Sequence, residues 1–367
     1  MGNTIRVGII GVGQIGKKHL ETYQSMPDVK VVAIAGRDPG RTKQVALDHD
    51  IGYWYTDFRK LLEHADIEAV DICLHNNLHL PAALASFKAG KHVYCEKPIA
   101  GSYVDGAAML NAARQNERLL SIQISTLFSV ETKAALEAIH QGWLGKPYYA
   151  CSAGFRRRER PFVDGYGTAD FVQKDKAAGG ALLDMGIYHI ANILYLLDNP
   201  AIVRVSGQVY QETGMDTDRY QSSGYNVEEF AAGFVQLDHN ITLNIVESWA
   251  AHLDTFGGSY ILGSQGGIRT DPFKIFRNLG DLNLDGSADL VAFNDRAHNL
   301  RENYDAFDGP QQHWIAALQG RVALLPTAEI ALNTMLISEG IYLSGQKSRE
   351  VTREEIIENS KSNAVEL

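Results

Sequence analysis

The sequence is poor in cysteine, and its cysteines are not spaced to form disulfides or to bind zinc. The three in 367 residues are Cys73, Cys95 and Cys151, and they include no Cys-x-x-Cys pair. The histidines form no cluster at zinc-ligand spacing. An odd number of thiols in mixed apolar surroundings is typical of buried, reduced cysteines. We therefore expect no metal site, and a protein of a reducing compartment.

Basic charge and long apolar runs are also missing. The formal net charge is -10, whereas binding to nucleic acid or to an anionic membrane needs a basic field. The sequence lacks the run of about 18 apolar residues that a membrane span would need. Its first residues lead into an apolar strand rather than a secretory signal. These absences favour a cytoplasmic protein with a small-molecule substrate, and with no nucleic-acid or membrane partner.

A glycine-rich turn near the start of the chain predicts a dinucleotide site. The apolar run at residues 6–10 is typical of a parallel strand buried on both faces, and residues 17–26 are predicted to form a helix. The glycines between them allow a tight turn and let backbone N–H groups approach a pyrophosphate at the helix N-terminus. The predicted cofactor-binding residues of this turn are Gly11, Gly13, Gln14, Ile15 and Gly16.

The end of the second predicted strand bears on the choice of cofactor. An NAD site usually has an acidic residue at this strand tip, whereas a nearby arginine suits the 2'-phosphate of NADP. Gly36 occupies the position expected for the acid, and Arg37 follows it, which favours NADP(H) over NAD(H). Arg37 could instead stack on the adenine or pair with Asp38 in solvent, and Asp38 could itself bind a ribose.

Two polar turns follow later strands of the same predicted sheet. Asn76 and His79 come after a strand at 69–74 and before a helix predicted to begin at Pro81. These two side chains could bind a ribose of the cofactor, although turn chemistry alone would explain the asparagine equally well.

The second turn contains the strongest candidate for catalysis. Glu96 and Lys97 follow a short β-rich run at residues 92–95, and Pro98 stops the strand. Because parallel sheets bind ligands at the carboxyl ends of their strands, Lys97 is a candidate proton-transfer residue. The alternative is an exposed turn lysine.

The second part of the chain contains a further polar cluster. Asp184 and Tyr188 are four residues apart on a predicted helix, so they share a face and could grip and deprotonate a polyol hydroxyl. His189 lies about 100° further around that helix, and a core histidine is its alternative interpretation. The loop beginning at Arg156 contains four arginines, which could bind a carboxylate or phosphate or could simply be solvated.

The pattern of elements predicts two domains, as the length also does at about 150 residues per domain. Strand–helix repetition predicts an α/β, doubly wound parallel sheet of the Rossmann type over residues 1–124. Residues 125–367 are predicted to be α+β, with helices on an open, largely antiparallel sheet and a frayed tail after Ile357. An open apolar sheet face needs a cover, so a homodimer or homotetramer is expected.

Taken together, these motifs resemble the Gfo/Idh/MocA oxidoreductases, the family of glucose-fructose oxidoreductase and inositol dehydrogenase. The resemblance is carried by the glycine turn with His19 after it, by the turn at residues 76–79, by residues 95–98 and by residues 179–189. It implies that Lys97 lies beside the nicotinamide and the substrate hydroxyl, and Glu96 and Lys97 are both expected to bind the cofactor. Many members have histidine where this chain has Tyr188, so either Tyr188 or His189 would be the second catalytic group.

The sequence thus predicts an NAD(P)-dependent dehydrogenase or reductase acting on a secondary alcohol of a sugar, cyclitol or sugar derivative. Lys97 is expected to transfer the proton, with Asp184 orienting it and Tyr188 completing the cluster. Two alternatives are retained. One is a sugar oxidoreductase of the glucose-fructose oxidoreductase type that keeps its cofactor bound, and the other is a non-catalytic NAD(P)-sensing regulator.

Overall fold

Residues 4–366 are described by the structure, a computed structural model, and their first part forms a six-stranded parallel sheet. The strand order is β3-β2-β1-β4-β5-β6, which confirms the predicted Rossmann topology. All four residues of β4 are buried, as expected for a strand covered by helices on both faces. The strands are β1 (Ile5–Ile10), β2 (Val29–Ala35), β3 (Tyr53–Tyr55), β4 (Ala69–Ile72), β5 (His92–Cys95) and β6 (Leu120–Ile122).

Five helices connect these strands, and three of them have a side-chain cap at the first turn. Asp38, Asp57 and Ser102 each accept a backbone N–H at a helix start, which stabilises the first turn. The helices are α1 (Gln14–Gln24), α2 (Pro39–Asp48), α3 (Phe58–Leu62), α4 (Asn76–Lys88) and α5 (Tyr103–Gln115).

Helix α4 begins five residues earlier than predicted, and Pro81 lies inside it. Since proline has no N–H, the carbonyl of Asn77, four residues before it, has no helical donor. The backbone N–H of Val365 donates to that carbonyl at 3.0 Å. The carbonyl that the internal proline leaves without a helical donor is thus hydrogen-bonded by a residue near the other end of the described chain.

The prediction of a frayed tail is wrong for the same region. A helix at Arg353–Asn359 opens with a capping box on Thr352. Beyond it, the backbone N–H of Asn363 donates to the carboxylate of Asp105 on α5 at 3.0 Å. The tail is therefore attached to the first part of the chain by hydrogen bonds.

The second sheet has nine strands in the order β14-β13-β12-β11-β7-β10-β9-β8-β15. Its pairs are antiparallel except for β7 with β10, which are parallel, so the predicted largely antiparallel sheet is confirmed. The sequence patterns did not predict β12, β13 and β14. The strands are β7 (Pro147–Phe155), β8 (Ile202–Tyr210), β9 (Phe230–Leu237), β10 (Ile241–Ser248), β11 (Tyr260–Gly263), β12 (Gly266–Thr270), β13 (Phe273–Leu279), β14 (Leu282–Gly286) and β15 (Val351–Thr352).

Helices cover one face of this sheet. The long helix α12 packs on β8 and also on α5 and β6 of the first part. One core of buried residues consequently runs through both parts of the chain. A π-helical turn at Leu182–Gly186 precedes α8. The helices are α6 (Val130–His140), α7 (Lys174–Ala177), α8 (Ile187–Leu196), α9 (Thr217–Ser223), α10 (Leu290–Leu300), α11 (Pro310–Leu318), α12 (Thr327–Lys347) and α13 (Arg353–Asn359).

Among residues 4–366, none of the helices combines the length and the apolar character needed to cross a bilayer. The three cysteines are free thiols; Cys95 and Cys151 are buried and Cys73 is partly exposed.

Candidate active site

The glycine turn between β1 and α1 has the shape of a phosphate cradle. Gly11 has a φ of +106°, and a Cβ there would lie 2.1 Å from the carbonyl oxygen of Cys73. A Cβ on Gly16 would lie 1.9 Å from the carbonyl oxygen of Gly11, so both positions require glycine. At Gly13, the N-cap of α1, no described residue places an atom within 4 Å of an added Cβ. The turn therefore fits a dinucleotide pyrophosphate at the helix N-terminus.

The other two residues of the turn begin helix α1. Gln14 is its first residue and Ile15, which is exposed, its second. No side chain caps α1 within the described chain. The backbone N–H groups at its start thus point to the side where a phosphate would bind.

At the tip of β2, the side chain of Asp38 is occupied by the fold. Its Oδ1 accepts the backbone N–H of Arg41 at 2.8 Å and so caps α2. A Cβ on Gly36 would lie 2.5 Å from Val12 and 2.6 Å from Thr42, so an acidic side chain cannot be added there without displacing its neighbours. Arg37 is exposed at this tip.

Lys97 follows β5, has only 13% of its side chain exposed, and contacts the second part of the chain. Its Nζ donates to the carbonyl oxygen of Asp184 at 2.8 Å and to Oδ1 of the same residue at 2.9 Å. Nζ also lies 4.9 Å from the centre of the Tyr188 ring. Burial opposes the charge of the ammonium, but the Asp184 carboxylate outweighs burial and raises the pKa of Lys97. Lys97 therefore carries a proton that it can donate.

Asp184 is held by three groups. Besides Lys97, the indole Nε1 of Trp249 donates to its Oδ2 at 3.1 Å, and Nη1 of Arg156 lies 3.7 Å from Oδ2. Burial opposes the charge on Asp184, yet the Lys97 ammonium lowers the pKa of this carboxyl below its usual value. Asp184 is thus a fixed carboxylate whose lone pairs are largely engaged, which suits orientation rather than proton transfer.

Tyr188 and His189 point to different partners from the start of α8. Burial raises the pKa of Tyr188 even though the charge of Lys97 opposes the shift, so the phenol stays neutral. The Nδ1 of His189 lies 2.9 Å from Oε2 of Glu247, and Oε1 of this buried glutamate accepts from Ser152 Oγ at 3.0 Å. Burial opposes the charge on His189, but Glu247 raises the pKa of the imidazole.

A cleft of about 710 Å³ adjoins these side chains. It lies where β7 ends and α8 begins, and it is bounded on the far side by the turn after β12. Its walls mix aromatic rings with charged and hydrogen-bonding groups, which is the lining expected of a site for a small polar ligand. The walls include Phe155, Arg156, Tyr188, His189, Phe256 and Asp271.

Two of the residues predicted to bind the cofactor have partners within the fold. Nδ2 of Asn76 donates to the carbonyl oxygen of Ala177 at 2.7 Å. His79 is fully buried, and its ring nitrogens lie 2.8 Å from the carbonyl oxygen of Pro98 and 3.1 Å from that of Leu74. His79 therefore supports the backbone next to Lys97, and its burial leaves it no surface for a cofactor contact in this conformation.

The arginine loop divides into two kinds of residue. Arg156 reaches the cleft, where Nη1 donates to the hydroxyl of Tyr166 at 2.6 Å. Arg160 is fully buried and pairs with Asp164 at 2.7 Å and Glu229 at 2.8 Å. Neither alternative left open for this loop, ligand binding or solvation, applies to Arg160, because Arg160 is part of the core.

Two residues at the site, Trp249 and Glu247, carried no distinguishing signal in the sequence. Glu247 lies in β10, whose residues alternate between the two faces, and Trp249 follows that strand. Only their contacts in the folded chain show that Trp249 holds Asp184 and Glu247 holds His189. His19 is buried beneath the turn that contains Lys97, with Nε2 3.0 Å from Oε1 of Glu96.

The fold and the site together define a class of protein, the nicotinamide-dependent oxidoreductases. A glycine cradle for a dinucleotide lies at the carboxyl end of one strand, and Lys97, which pairs with Asp184, follows another strand of the same sheet. Residues 5–124 match the model of an oxidoreductase family with an NAD-binding Rossmann fold. Residues 132–269 match the C-terminal domain of the same family. The chain belongs to the Gfo/Idh/MocA family.

Similar proteins extend this result. The chain is 27% identical over 356 residues to D-glucoside 3-dehydrogenase of Escherichia coli K12, covering 95% of this chain and 97% of the relative. It is 27% identical over 193 residues to myo-inositol 2-dehydrogenase of Thermotoga maritima, covering 53% and 55%. The crystal structure of an oxidoreductase domain protein from Kribbella flavida has a TM-score of 0.79 at 19% identity, covering 96% and 99%; this likeness concerns the fold.

Proposed function

We propose that this protein transfers hydride between NADP(H) or NAD(H) and a secondary alcohol or ketone of a sugar, cyclitol or sugar derivative, with Lys97 as the proton-transfer residue. The observation that carries this proposal is the position of Lys97 Nζ, which joins the cofactor-binding part to Asp184 and the ring of Tyr188. The named activities of the glucoside and inositol dehydrogenases support the substrate class.

The proposed reaction assigns proton transfer, positioning and substrate binding to different residues. When bound, the nicotinamide supplies the hydride acceptor or donor. The protonated Lys97 donates to the oxygen of a ketone during reduction, and during oxidation the neutral lysine accepts the hydroxyl proton. Asp184 holds the ammonium in place. Tyr188 and His189 are proposed to bind the substrate's other oxygens, and Arg156 to contact the substrate from the opposite side of the cleft.

The test compares wild type with Lys97→Met in initial rates with NADP+ and NAD+ against hexoses, inositols, glycosides and sugar acids. We expect kcat to fall by roughly 10²–10⁴-fold while cofactor binding, measured by fluorescence, is retained. Lys91→Met is the matched control, because Lys91 is also buried but donates only to the backbone carbonyls of His64 and Ile67. Normal turnover by Lys97→Met would refute the assignment. Cofactor binding without turnover on any substrate would favour the sensing regulator.

The cofactor preference is proposed to be NADP(H), because Arg37 is exposed beside Gly36 while Asp38 caps a helix. We expect Arg37→Ala to raise KM for NADP+ roughly tenfold, because a tenfold change corresponds to the free energy of about one charge-assisted hydrogen bond. The KM for NAD+ should change little. Steady-state kinetics with both cofactors test this, and Arg59→Ala on α3 serves as the exposed-arginine control. An equal loss with both cofactors would show that Arg37 acts on a part that they share.

Two hydrogen bonds favour the retained-cofactor alternative as a second candidate function. The side chains of Asn76 and Asn77 donate to the carbonyls of Ala177 and Asp175 at 2.7 and 3.3 Å. The α7 segment therefore lies over the strand ends where a nicotinamide would bind, and it would slow cofactor release. Nicotinamide nucleotide found in stoichiometric amount after denaturing the purified protein would support this candidate.

A further inference from the structure

We propose that His19 is a positioning residue, a buried imidazolium that bridges Asp71 and Glu96 and thereby fixes the backbone of Lys97. This inference rests on the proposed role of Lys97 in proton transfer. It assigns a function to a side chain that does not line the cleft and is not a hydrogen-bond partner of Lys97 Nζ.

The bridge consists of two short contacts between side chains that are almost completely buried. Nδ1 of His19 lies 2.9 Å from Oδ2 of Asp71, and Nε2 lies 3.0 Å from Oε1 of Glu96. The His19 and Asp71 side chains are 4% and 0% exposed. The second oxygen of Glu96 accepts the backbone N–H of Lys97 at 3.0 Å. One continuous chain of hydrogen bonds thus runs from Asp71 through His19 and Glu96 to the backbone N–H of Lys97.

The charge of the ring follows from its partners. A carboxylate oxygen only accepts hydrogen bonds, so an imidazole with a carboxylate at each nitrogen must donate from both and carry a positive charge. Burial opposes that charge, but Asp71 outweighs burial and raises the pKa of His19 far above its usual value. The bridge therefore contains one cation between two anions, an arrangement that holds both carboxylates in fixed orientations.

The other titratable groups around the ring do not supply a competing charge. Burial raises the pKa of the Cys73 thiol, which lies 3.4 Å from Nδ1, and likewise that of Tyr94. Burial also raises the pKa of Tyr23, on the same helix as His19, and of Tyr188 across the site. These groups stay neutral, so His19 is the cation that offsets Asp71 and Glu96.

The elements that carry the bridge explain its use. His19 is on α1, directly after the glycine cradle, whereas Asp71 is in β4 and Glu96 follows β5. The bridge therefore sets the distance between the turn that would hold the phosphates and the turn that holds Lys97. It also offsets the negative charge of Glu96, which by itself raises the pKa of Lys97.

The kinetic test uses His19→Gln with His313→Gln as its control. His313 is also buried, but burial lowers its pKa to about 4, so it is a neutral core histidine. For His19→Gln we expect kcat to fall roughly tenfold or more, because a small misplacement of a catalytic group has effects of this order. We also expect the pH for half-maximal oxidation to move upwards, since Glu96 loses its offsetting cation. His313→Gln should lower the melting temperature without either kinetic change.

A second measurement does not depend on catalysis or on the folding of a variant. In the wild-type protein, ¹⁵N NMR should show both ring nitrogens of His19 protonated across the neutral pH range. A neutral ring, or a His19→Gln enzyme that matches His313→Gln in kcat and pH profile, would overturn the inference. A charged ring together with full activity in Lys97→Met would instead refute the proposed function and leave the bridge intact.

Discussion

Single residues in this site are charged or neutral according to their contacts rather than their burial. The side chains of Lys97 and Asp184 are only 13% and 24% exposed, yet each shifts the pKa of the other towards the charged form. Removing the Asp184 carboxylate would leave the Lys97 ammonium largely buried without its ion-pair partner, which costs several kcal/mol. Because such a variant is also destabilised, the roles of Lys97 and Asp184 are best compared by kinetic measurements on single variants rather than by measurements of stability.

The pair formed by His189 and Glu247 gives a prediction about pH. The pKa of His189 is raised in the folded state. The contribution of the pair to stability is therefore fully present below the unfolded value of about 6.5 and is lost as pH rises through the raised value. We expect the free energy of unfolding of wild type, relative to Glu247→Gln, to be largest in mild acid and to decline towards alkaline pH.

Urea unfolding at a series of pH values measures this difference. Glu329→Gln is a suitable control, because Glu329 pairs with Arg114 and not with a histidine, so its difference should not change over the same range. A constant difference for Glu247→Gln as well would mean that His189 is not charged by this contact.

Elements of the structure were predictable to different degrees. Strands β1, β2, β4 and β5 are apolar runs buried on both faces, a pattern that needs no knowledge of neighbours. β14 is largely exposed and most of β13 is half-buried, so neither strand has the continuous buried apolar run that marks the strands of the first sheet. The start of α4 was missed because Pro81 resembled a first-turn proline, and its consequence for the Asn77 carbonyl depends on a tail residue far along the chain.

The residues of the candidate site were also predictable from the sequence to different degrees. Lys97, Asp184 and Tyr188 belong to local motifs that could be recognised in the sequence, and the structure brings them together. Trp249 could not be predicted, because its contact with Asp184 joins a strand end to a π-helical turn 65 residues away. Contacts of this kind depend on register and packing, which single-sequence periodicity does not contain.

The contact between Val365 and Asn77 supports a prediction about one element. Val365→Pro removes the N–H donor, whereas Val365→Ala keeps it and changes only a partly exposed side chain. We expect Val365→Pro to lower the free energy of unfolding by about 1 kcal/mol and to speed hydrogen exchange in the tail. The alanine variant should stay close to wild type. Equal effects in the two variants would assign the stabilisation to the side chain.

At the scale of the whole molecule, one face of the second sheet is not covered by any helix of residues 4–366. Phe234 on β9 is 48% exposed there, and the stacked rings of Tyr149 and Tyr260 lie on the same face, with centroids 6.2 Å apart. Exposed apolar faces of this kind commonly mark contacts between subunits. We propose that a second copy of the chain covers this face, giving a homodimer or homotetramer.

Phe234→Glu tests the proposed assembly, because a carboxylate in the contact would have to be desolvated. We expect light scattering to show a smaller species than wild type at equal concentration. Leu253→Glu provides a comparison, since Leu253 is similarly exposed, at 46%, but lies in the loop after β10. A wild-type monomer, or an unchanged mass in Phe234→Glu, would contradict the proposal.

The boundary that we propose at 124/125 separates two sheets but not two cores. Thr327, the first residue of α12, accepts the backbone N–H of Ile122 in β6 at 2.9 Å, and α12 also packs on α5. An engineer who exchanged cofactor specificity by grafting residues 4–124 from a relative would therefore cut through a packed core. A workable graft would have to carry the matching surface of α12 and the tail segment as well, so the unit of exchange in this protein is discontinuous in sequence.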